Sequence, residues 1–493
     1  MMKQFLELKA QYPDSVIFYR MGDFYEMFLE DAELVAPLLD IALTSRDKGK
    51  ADAVPMCGVP VHAAEGHIKR LASLGHRIAI CEQIEDPKEI GGKRLLRRAV
   101  VEVVTPGLIG DPTGLEAHAV VAVAAIYRDS ETKGIGLAVL DATTADFRGT
   151  LVVSEAGNAP TAPADSLPDL LVQELARIGP KELLVPIELT APAHRLLDDI
   201  IENLAIREVS ERFFREKPTA KDWSGDFLNA DDAASCAAIC LANYLIENQP
   251  FALERPPQLR RYEIADSVIL DASTRRHLEL HENSEDRGRD GTLIAELDLT
   301  SSPLGSRRLS RWLSYPLVST RDINHRQNAV ARLVAEDRTR TRLRDAIRPV
   351  RDLDRLLSKA TRPGAVPRDL GSLRSSLAAI PQVISALLVE ESGDSKSAPL
   401  WTGADSTEAP VAGTSLDSPA DLPDLTKLLE VGLVDDPPII ARGSRGANVT
   451  GYIRKGYCAE LDELRESATK GREWIAGLEA LERERSGINT LKI

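Results

Sequence analysis

Near Tyr262 the sequence changes character, and that change limits the fold more than any other feature. Before it, short apolar β-rich runs alternate with helical stretches; beyond it, the chain is almost purely helical and heavily charged. One architecture throughout is therefore excluded. A multidomain chain is expected, with mixed α/β units followed by an all-α unit. The 493 residues suit roughly three domains at about 150 residues each. With 43% hydrophobic residues, each can bury a core.

The first unit is expected over residues 1–115. Val16–Tyr19 and Arg77–Cys81 read as strands, His62–Leu74 as a helix stopped by Gly75, and Asp23 to about Leu39 as a helix kinked or ended by Pro37. From 116 to 250 an α/β unit is expected. Val120–Tyr127, Gly134–Asp141 and Ala145–Val153 form a β-meander, followed by a helix at Asp169–Arg177, a strand at Glu182–Val185 and a helix carrying Cys236 and Cys240. Residues 251–493 should be helical, interrupted at Pro363 and Pro367. The stretch 391–423, rich in Ser, Ala, Asp, Gly and Pro, reads as a disordered insertion. A long helix from Tyr452 to Arg485 carries a roughly heptad stripe of Tyr457, Leu461, Leu464, Ala468, Ile475 and Leu478. Ile488–Ile493 then looks like the start of a strand, which suggests a piece of a longer protein.

The charge balance, 61 Lys+Arg against 76 Asp+Glu for a net of −15, argues against coating nucleic acid or lipid by bulk charge. Residues 1–115 hold 14 basic and 17 acidic side chains, with Lys93, Arg94, Arg97 and Arg98 bunched. No run approaches 18 apolar residues, as a membrane span would need. Cys57, Cys81, Cys236, Cys240 and Cys458 form no C-x-x-C pair and read as reduced thiols, bound to no metal. A phosphate loop, H-E-x-x-H and G-x-S-x-G are all missing; Gly91-Gly92-Lys93-Arg94 lacks the earlier glycine and the Ser/Thr. Asp141 could start a two-metal nuclease site, although an Asp ending a strand ordinarily caps the following turn. The chain by itself is not expected to be an enzyme. Arg338, Arg340, Arg342 and Arg344 stand among the acids Glu336, Asp337 and Asp345 and suit a solvated helix face better than a DNA contact.

The most informative segment is Tyr19-Arg20-Met21-Gly22-Asp23-Phe24-Tyr25-Glu26-Met27-Phe28. By spacing alone, Asp23 and Glu26 could form a capping box, with Phe24, Tyr25 and Phe28 as core. The segment also resembles the mismatch-recognition motif of the MutS family of DNA mismatch repair proteins. Pro55–Pro60, His62–Gly66, Ala79–Pro87 and Val104–Gly107 resemble the same domain in order, Leu270–Leu280 and Asp298–Leu317 resemble the family's helical core, and Arg483–Ile488 resembles the entry to its clamp.

The resemblance implies a mismatch-recognition domain, an RNase H-like α/β connector and a helical core and lever ending at the entry to the clamp. It further implies binding of mismatched or unpaired bases in duplex DNA, with Phe24 stacking on the base and Glu26 hydrogen-bonding it. Met21, Arg46, Val59 and Pro60 would be neighbouring DNA contacts. In the intact protein it implies an ATPase domain using ATP and Mg²⁺ beyond residue 493, a homodimer, a MutL-type partner, and a bacterial cytoplasmic, DNA-associated location. The physical logic is independent. A mispaired base is poorly stacked and cheap to kink, an aromatic wedge can hold the kink, and any base offers a π face. A carboxylate among phosphates should have its pKa raised and could donate when protonated. The alternative expectation is a metal-dependent nuclease using the connector.

Overall fold

The computed structural model describes residues 1–46, 53–85, 96–109, 115–116, 119–128, 134–153, 167–218, 232–250, 258–362, 365–387, 422–438 and 451–487. Lys93, Arg94, most of the 391–423 stretch, Pro363 and the segment 488–493 lie outside them.

The described residues form two six-stranded sheets. The first contains β1 (Ser15–Met21), β2 (Phe24–Phe28), β3 (Thr44–Arg46), β4 (Val54–Pro60), β5 (Arg77–Gln83) and β6 (Arg98–Val104), in the order β3-β4-β2-β1-β5-β6. Strict alternation along β1 sorts its side chains between two cores. Val16 and Phe18 pack with the helices Glu30–Leu39 and Ala64–Ser73, whereas Ile17 and Tyr19 pack with Phe5 and Leu8 of the helix Met2–Gln11. Both sheet faces are covered, so Val16 to Tyr19 form an unbroken run of buried apolar and aromatic side chains.

The expected helix from Asp23 requires correction. Residues 24–28 are a strand, and the helix begins only at Glu30. Helical spacing misled here because Phe24, Tyr25 and Phe28 satisfy both periods. What decides is Gly22, whose φ of +59° turns the chain back on itself so that Met21 faces Phe24. Asp23 and Glu26 therefore form no capping box. Pro37 sits inside the helix, two residues before its end, rather than breaking it.

The second sheet contains β7 (Val123–Arg128), β8 (Ile135–Asp141), β9 (Asp146–Val152), β10 (Glu182–Val185), β11 (Ala205–Glu208) and β12 (Leu259–Arg261), in the order β11-β10-β7-β8-β9-β12. β7–β9 are the antiparallel meander read from the sequence. β12 lies beyond residue 250 yet pairs parallel with β9, so the sheet takes its edge from the segment assigned to the helical unit. The helix Ala233–Asn248 packs close on this sheet because both partners are small: a Cβ on Gly136 would fall 2.0 Å from the Ala233 carbonyl carbon. The Asp232 side chain caps that helix, accepting from Ser235 N at 2.8 Å. Cys236 and Cys240 lie in the core beneath it.

A buried carboxylate ties the two sheets together. Glu182, fully buried on β10, accepts from Thr105 Oγ1 at 2.5 Å, Gly107 N at 3.3 Å, Tyr244 Oη at 2.7 Å and Arg207 Nε at 3.2 Å. Gly107 is required for the approach, since its Cβ would lie 2.9 Å from the Cβ atoms of Glu182 and Val123. Nearby, Arg77 Nη2 donates to Asn248 Oδ1 at 2.7 Å. A second joint holds the helical part: buried Glu174 accepts from Tyr262 Oη at 2.8 Å and pairs with Arg177, which lies 3.9 Å from the centre of the Tyr315 ring.

Beyond Tyr262 the described chain is helical. Asp337–Ile347, Leu353–Ala360 and Pro423–Gly432 pack on the central helix Pro367–Leu387. The long helix starts at Ala459, not at Tyr452, because Gly456 takes φ +90° and residues 451–458 turn instead. Leu464 and Ile475 of its apolar stripe are exposed. Arg340 pairs with Asp337 and donates to Leu333 O at 2.7 Å, and Arg348 lies 3.5 Å from Asp345, as on a solvated helix face.

Removing the Glu182 carboxylate should leave Thr105 and Tyr244 buried without their acceptor and half-buried Arg207 without its partner. Glu182→Ala should cost about 3–5 kcal/mol, read as a lower denaturation midpoint, and Glu182→Gln less. Burial pushes the Cys57 thiol up to about 11 and Cys81 up to about 12. Little thiolate is then present at pH 8. Alkylation at that pH should label exposed Cys458 first, with Cys57, Cys81, Cys236 and Cys240 reacting only on unfolding.

Candidate nucleic-acid interface

The strand that carries Phe24 is buried except at its tip. Tyr25, Met27 and Phe28 are buried, whereas Phe24 is 46% exposed. Alternation explains the difference. Tyr25 and Met27 point to the face covered by the Glu30–Leu39 and Ala64–Ser73 helices. Phe24, Glu26 and Phe28 share the other face, where the N-terminal helix covers Phe28 but not the two residues nearer the turn. A large aromatic is thus held on a strand yet left uncovered.

Cross-strand neighbours surround it. Phe24 lies between Met21 on β1 and Pro60 on β4, and Glu26 lies between Tyr19 and Gly58. Gly58 lets the half-buried Glu26 side chain lie against the strand, since a Cβ there would fall 3.2 Å from Tyr25 O and 3.6 Å from Glu26 Cγ. Val61 N donates to Asp23 O at 3.0 Å and fastens the turn to the end of β4. Beneath, Tyr25 Oη donates to Glu82, Arg20 Nη1 reaches the same carboxylate at 3.2 Å, and Arg20 lies 5.5 Å from the Tyr25 ring centre. Burial, with Glu82 next, raises the Tyr25 pKa. Arg98, buried, donates to Arg20 O at 2.7 Å and sits 4.9 Å from the Tyr19 ring, with Nη2 3.5 Å from Met21 Sδ.

Of the residues singled out in the sequence, Phe24, Glu26, Met21 and Pro60 come together on one face. Val59 does not join them: it pairs with Tyr25 on the opposite face and is 1% exposed. Arg46 is on β3, two strands away, paired with Val54. Sequence reading missed Arg20, Glu82, Arg98 and Gly58 as supports. Only the strand order brings Glu82 on β5 beside β1, although Cys81-Glu82-Gln83 was part of the resembling segment.

The arrangement offers stacking and a hydrogen-bonding carboxylate, without a paired nucleophile and base. Among the described residues, no group of three His, Cys, Asp or Glu is placed to hold a metal ion. Asp141 caps its own turn, with Oδ1 accepting from Thr143 N at 2.9 Å and Thr143 Oγ1 at 2.6 Å. No described helix is long and apolar enough to cross a membrane.

Residues 1–113 match MutS domain I, 121–257 match MutS domain II and 273–484 match MutS domain III. Curated relatives named DNA mismatch repair protein MutS are 34% identical in Ruminiclostridium cellulolyticum, and 37% identical in Symbiobacterium thermophilum and Myxococcus xanthus. Each match covers the whole chain and 52–53% of the relative, so the chain spans about half the length of these proteins.

The two aromatics on one face provide an internal control. Phe28→Ala should lower unfolding stability by about 3–5 kcal/mol, and Phe24→Ala by less than about 1 kcal/mol. Denaturant titration of both variants checks this. Equal losses would place Phe24 in the core.

Proposed function

The chain belongs to the MutS family, and from that premise we propose that it recognises mismatched or unpaired bases in duplex DNA through the β1–β2 hairpin. Phe24 enters at the weakened step and stacks on the mispaired base, and Glu26 hydrogen-bonds the base edge. Met21 and Pro60 flank the ring against the groove, while Arg46 serves the backbone. Val59 acts only by shaping the strand that carries Pro60. The observation that carries this reading is the 46% exposure of Phe24 on a strand whose Tyr25, Met27 and Phe28 are buried.

The energetics fit this division of labour. Stacking is worth about 1–3 kcal/mol per base and is indifferent to base identity. A Watson–Crick step resists the kink that the wedge requires, whereas a mispaired step yields. Rigidity supports the role: the hairpin is pinned by Val61, and its far face is locked by Tyr25, Glu82 and Arg20. A wedge on a flexible loop would lose part of its stacking energy to ordering.

We take the second unit to be the family's RNase H-like connector, a reading supported by an antiparallel meander continued by parallel strands next to β7. The helical part is then the core and lever. In the intact protein, binding would be coupled to ATP and Mg²⁺ through an ATPase domain, in a homodimer that engages a MutL-type partner. Nuclease chemistry has no supporting observation.

Phe24→Ala should remove the preference for a duplex with one mismatch over the same duplex fully paired, by roughly 5–150-fold at fixed salt. Affinity for paired DNA and its salt slope should persist, because phosphate contacts supply them. Glu26→Ala should alter which mismatches are preferred with little loss of stability. Unchanged mismatch preference in Phe24→Ala would reject the wedge.

A further inference from the structure

Away from the hairpin, a cleft of ≈ 400 Å³ opens between the second sheet and the helix Pro303–Ser314. Its walls come from the β8–β9 turn, β9, the end of the helix Asp169–Ile178 and β12 on one side, and from the helix Pro303–Ser314, Tyr315 and Asp354 on the other. Guanidinium groups dominate the lining. Two of them are engaged elsewhere: Arg177 by Glu174, and Arg307 by Asp352 and Asp354. Four others, Arg148, Arg260, Arg308 and Arg311, line the cleft beside Asp141, Asp146 and Asp354, the last of which is held by Arg307.

That balance is incomplete. Asp141 is occupied by Thr143, and Asp146 is shared between Arg148 Nε at 3.0 Å and Arg311 Nη1 at 3.6 Å. Arg148 is 8% exposed and lies 5.7 and 6.0 Å from the Tyr262 and Tyr315 ring centres, while its Nη1 has no hydrogen-bond partner among the described residues. Burying a guanidinium donor without an acceptor is unfavourable, and so is crowding like charges in a partly desolvated site. Burial, followed by the neighbouring Arg148, holds the Arg311 pKa below its ordinary value. A bound anion would remove both penalties.

We propose that this cleft is a binding site for a compact polyphosphate anion, free or carried on a nucleoside, held by Arg148, Arg308 and Arg311. Guanidinium forks match phosphoryl oxygens in pairs, and several forks around one cavity select clustered negative charge over a single carboxylate. The volume falls within the range of small-ligand sites. Because the cleft is walled by both the sheet and the helical part, its occupant would brace the joint already made by Glu174 and Tyr315. The site is independent of the mismatch reading.

Titration calorimetry of the 493-residue chain at low salt, with pyrophosphate, tripolyphosphate and a nucleoside triphosphate, tests the proposal. One-to-one binding is expected, weakened tenfold or more by Arg308→Gln and by Arg311→Gln, and less by Arg308→Lys. Exposed Arg308 carries the test if Arg148→Gln fails to fold. A nucleoside triphosphate binding more tightly than tripolyphosphate identifies the nucleoside-borne source; equal affinities identify the free anion. Phe24→Ala should leave these affinities unchanged. The proposal is overturned if none of the three binds at millimolar concentration, if both Gln variants bind as well as the parent, or if only a DNA duplex occupies the cleft.

Discussion

The arrangement of this molecule depends on Glu182, a carboxylate buried between two sheets. Isolated ionised groups do not survive burial, so its position is possible only because four donors converge on it. Two of these, Thr105 Oγ1 and Gly107 N, belong to the segment leaving the first sheet; Arg207 and Tyr244 belong to the second unit. The interaction therefore joins two domains at the point where the chain passes between them. Sequence-distant groups must arrive together or not at all, which makes the junction specific rather than merely adhesive.

The same device recurs. Glu174 collects Arg177, Tyr262 and Tyr315, joining the second sheet to the start of the helical part. Arg355 reaches from the helix Leu353–Ala360 to the carbonyls of Leu115, Glu116 and Ala119, while Arg362 pairs with Glu102 of the first sheet. The first domain is consequently held from two directions. Polar contacts of this kind need particular geometry, whereas the apolar faces of either sheet could pack in several ways. Position is thus set by hydrogen bonds, and the cores supply most of the stability.

This framework gives meaning to the exposed Phe24. Exposed aromatics are ordinary when they lie on mobile surface, but this one stands at the end of a strand whose next residues are core. The price is uncovered apolar area on the hairpin face, tolerated because the N-terminal helix ends short of it. Gly22 and Gly58 shape the place: one permits the turn, the other lets the Glu26 side chain lie close against β4.

Much of the architecture was legible in the sequence. The meander over 120–153, the alanine-rich helix carrying Cys236 and Cys240, and the change to helix after Tyr262 follow from local periodicity and turn residues. Local rules failed at residues 23–29 and 452–458, where a single glycine's positive φ outweighs helical spacing. They also could not place β12 in the second sheet, since a three-residue edge strand is defined by its partner. The residues of the hairpin were visible as a motif, yet whether Phe24 was core or surface was undecidable from spacing alone. Sequence by itself determined the elements and the chemistry available to them, because periodicity and side-chain type are local. Tertiary structure decided exposure, the Glu182 and Glu174 joints and the arginine cleft, because each depends on groups that only strand order and domain packing bring together.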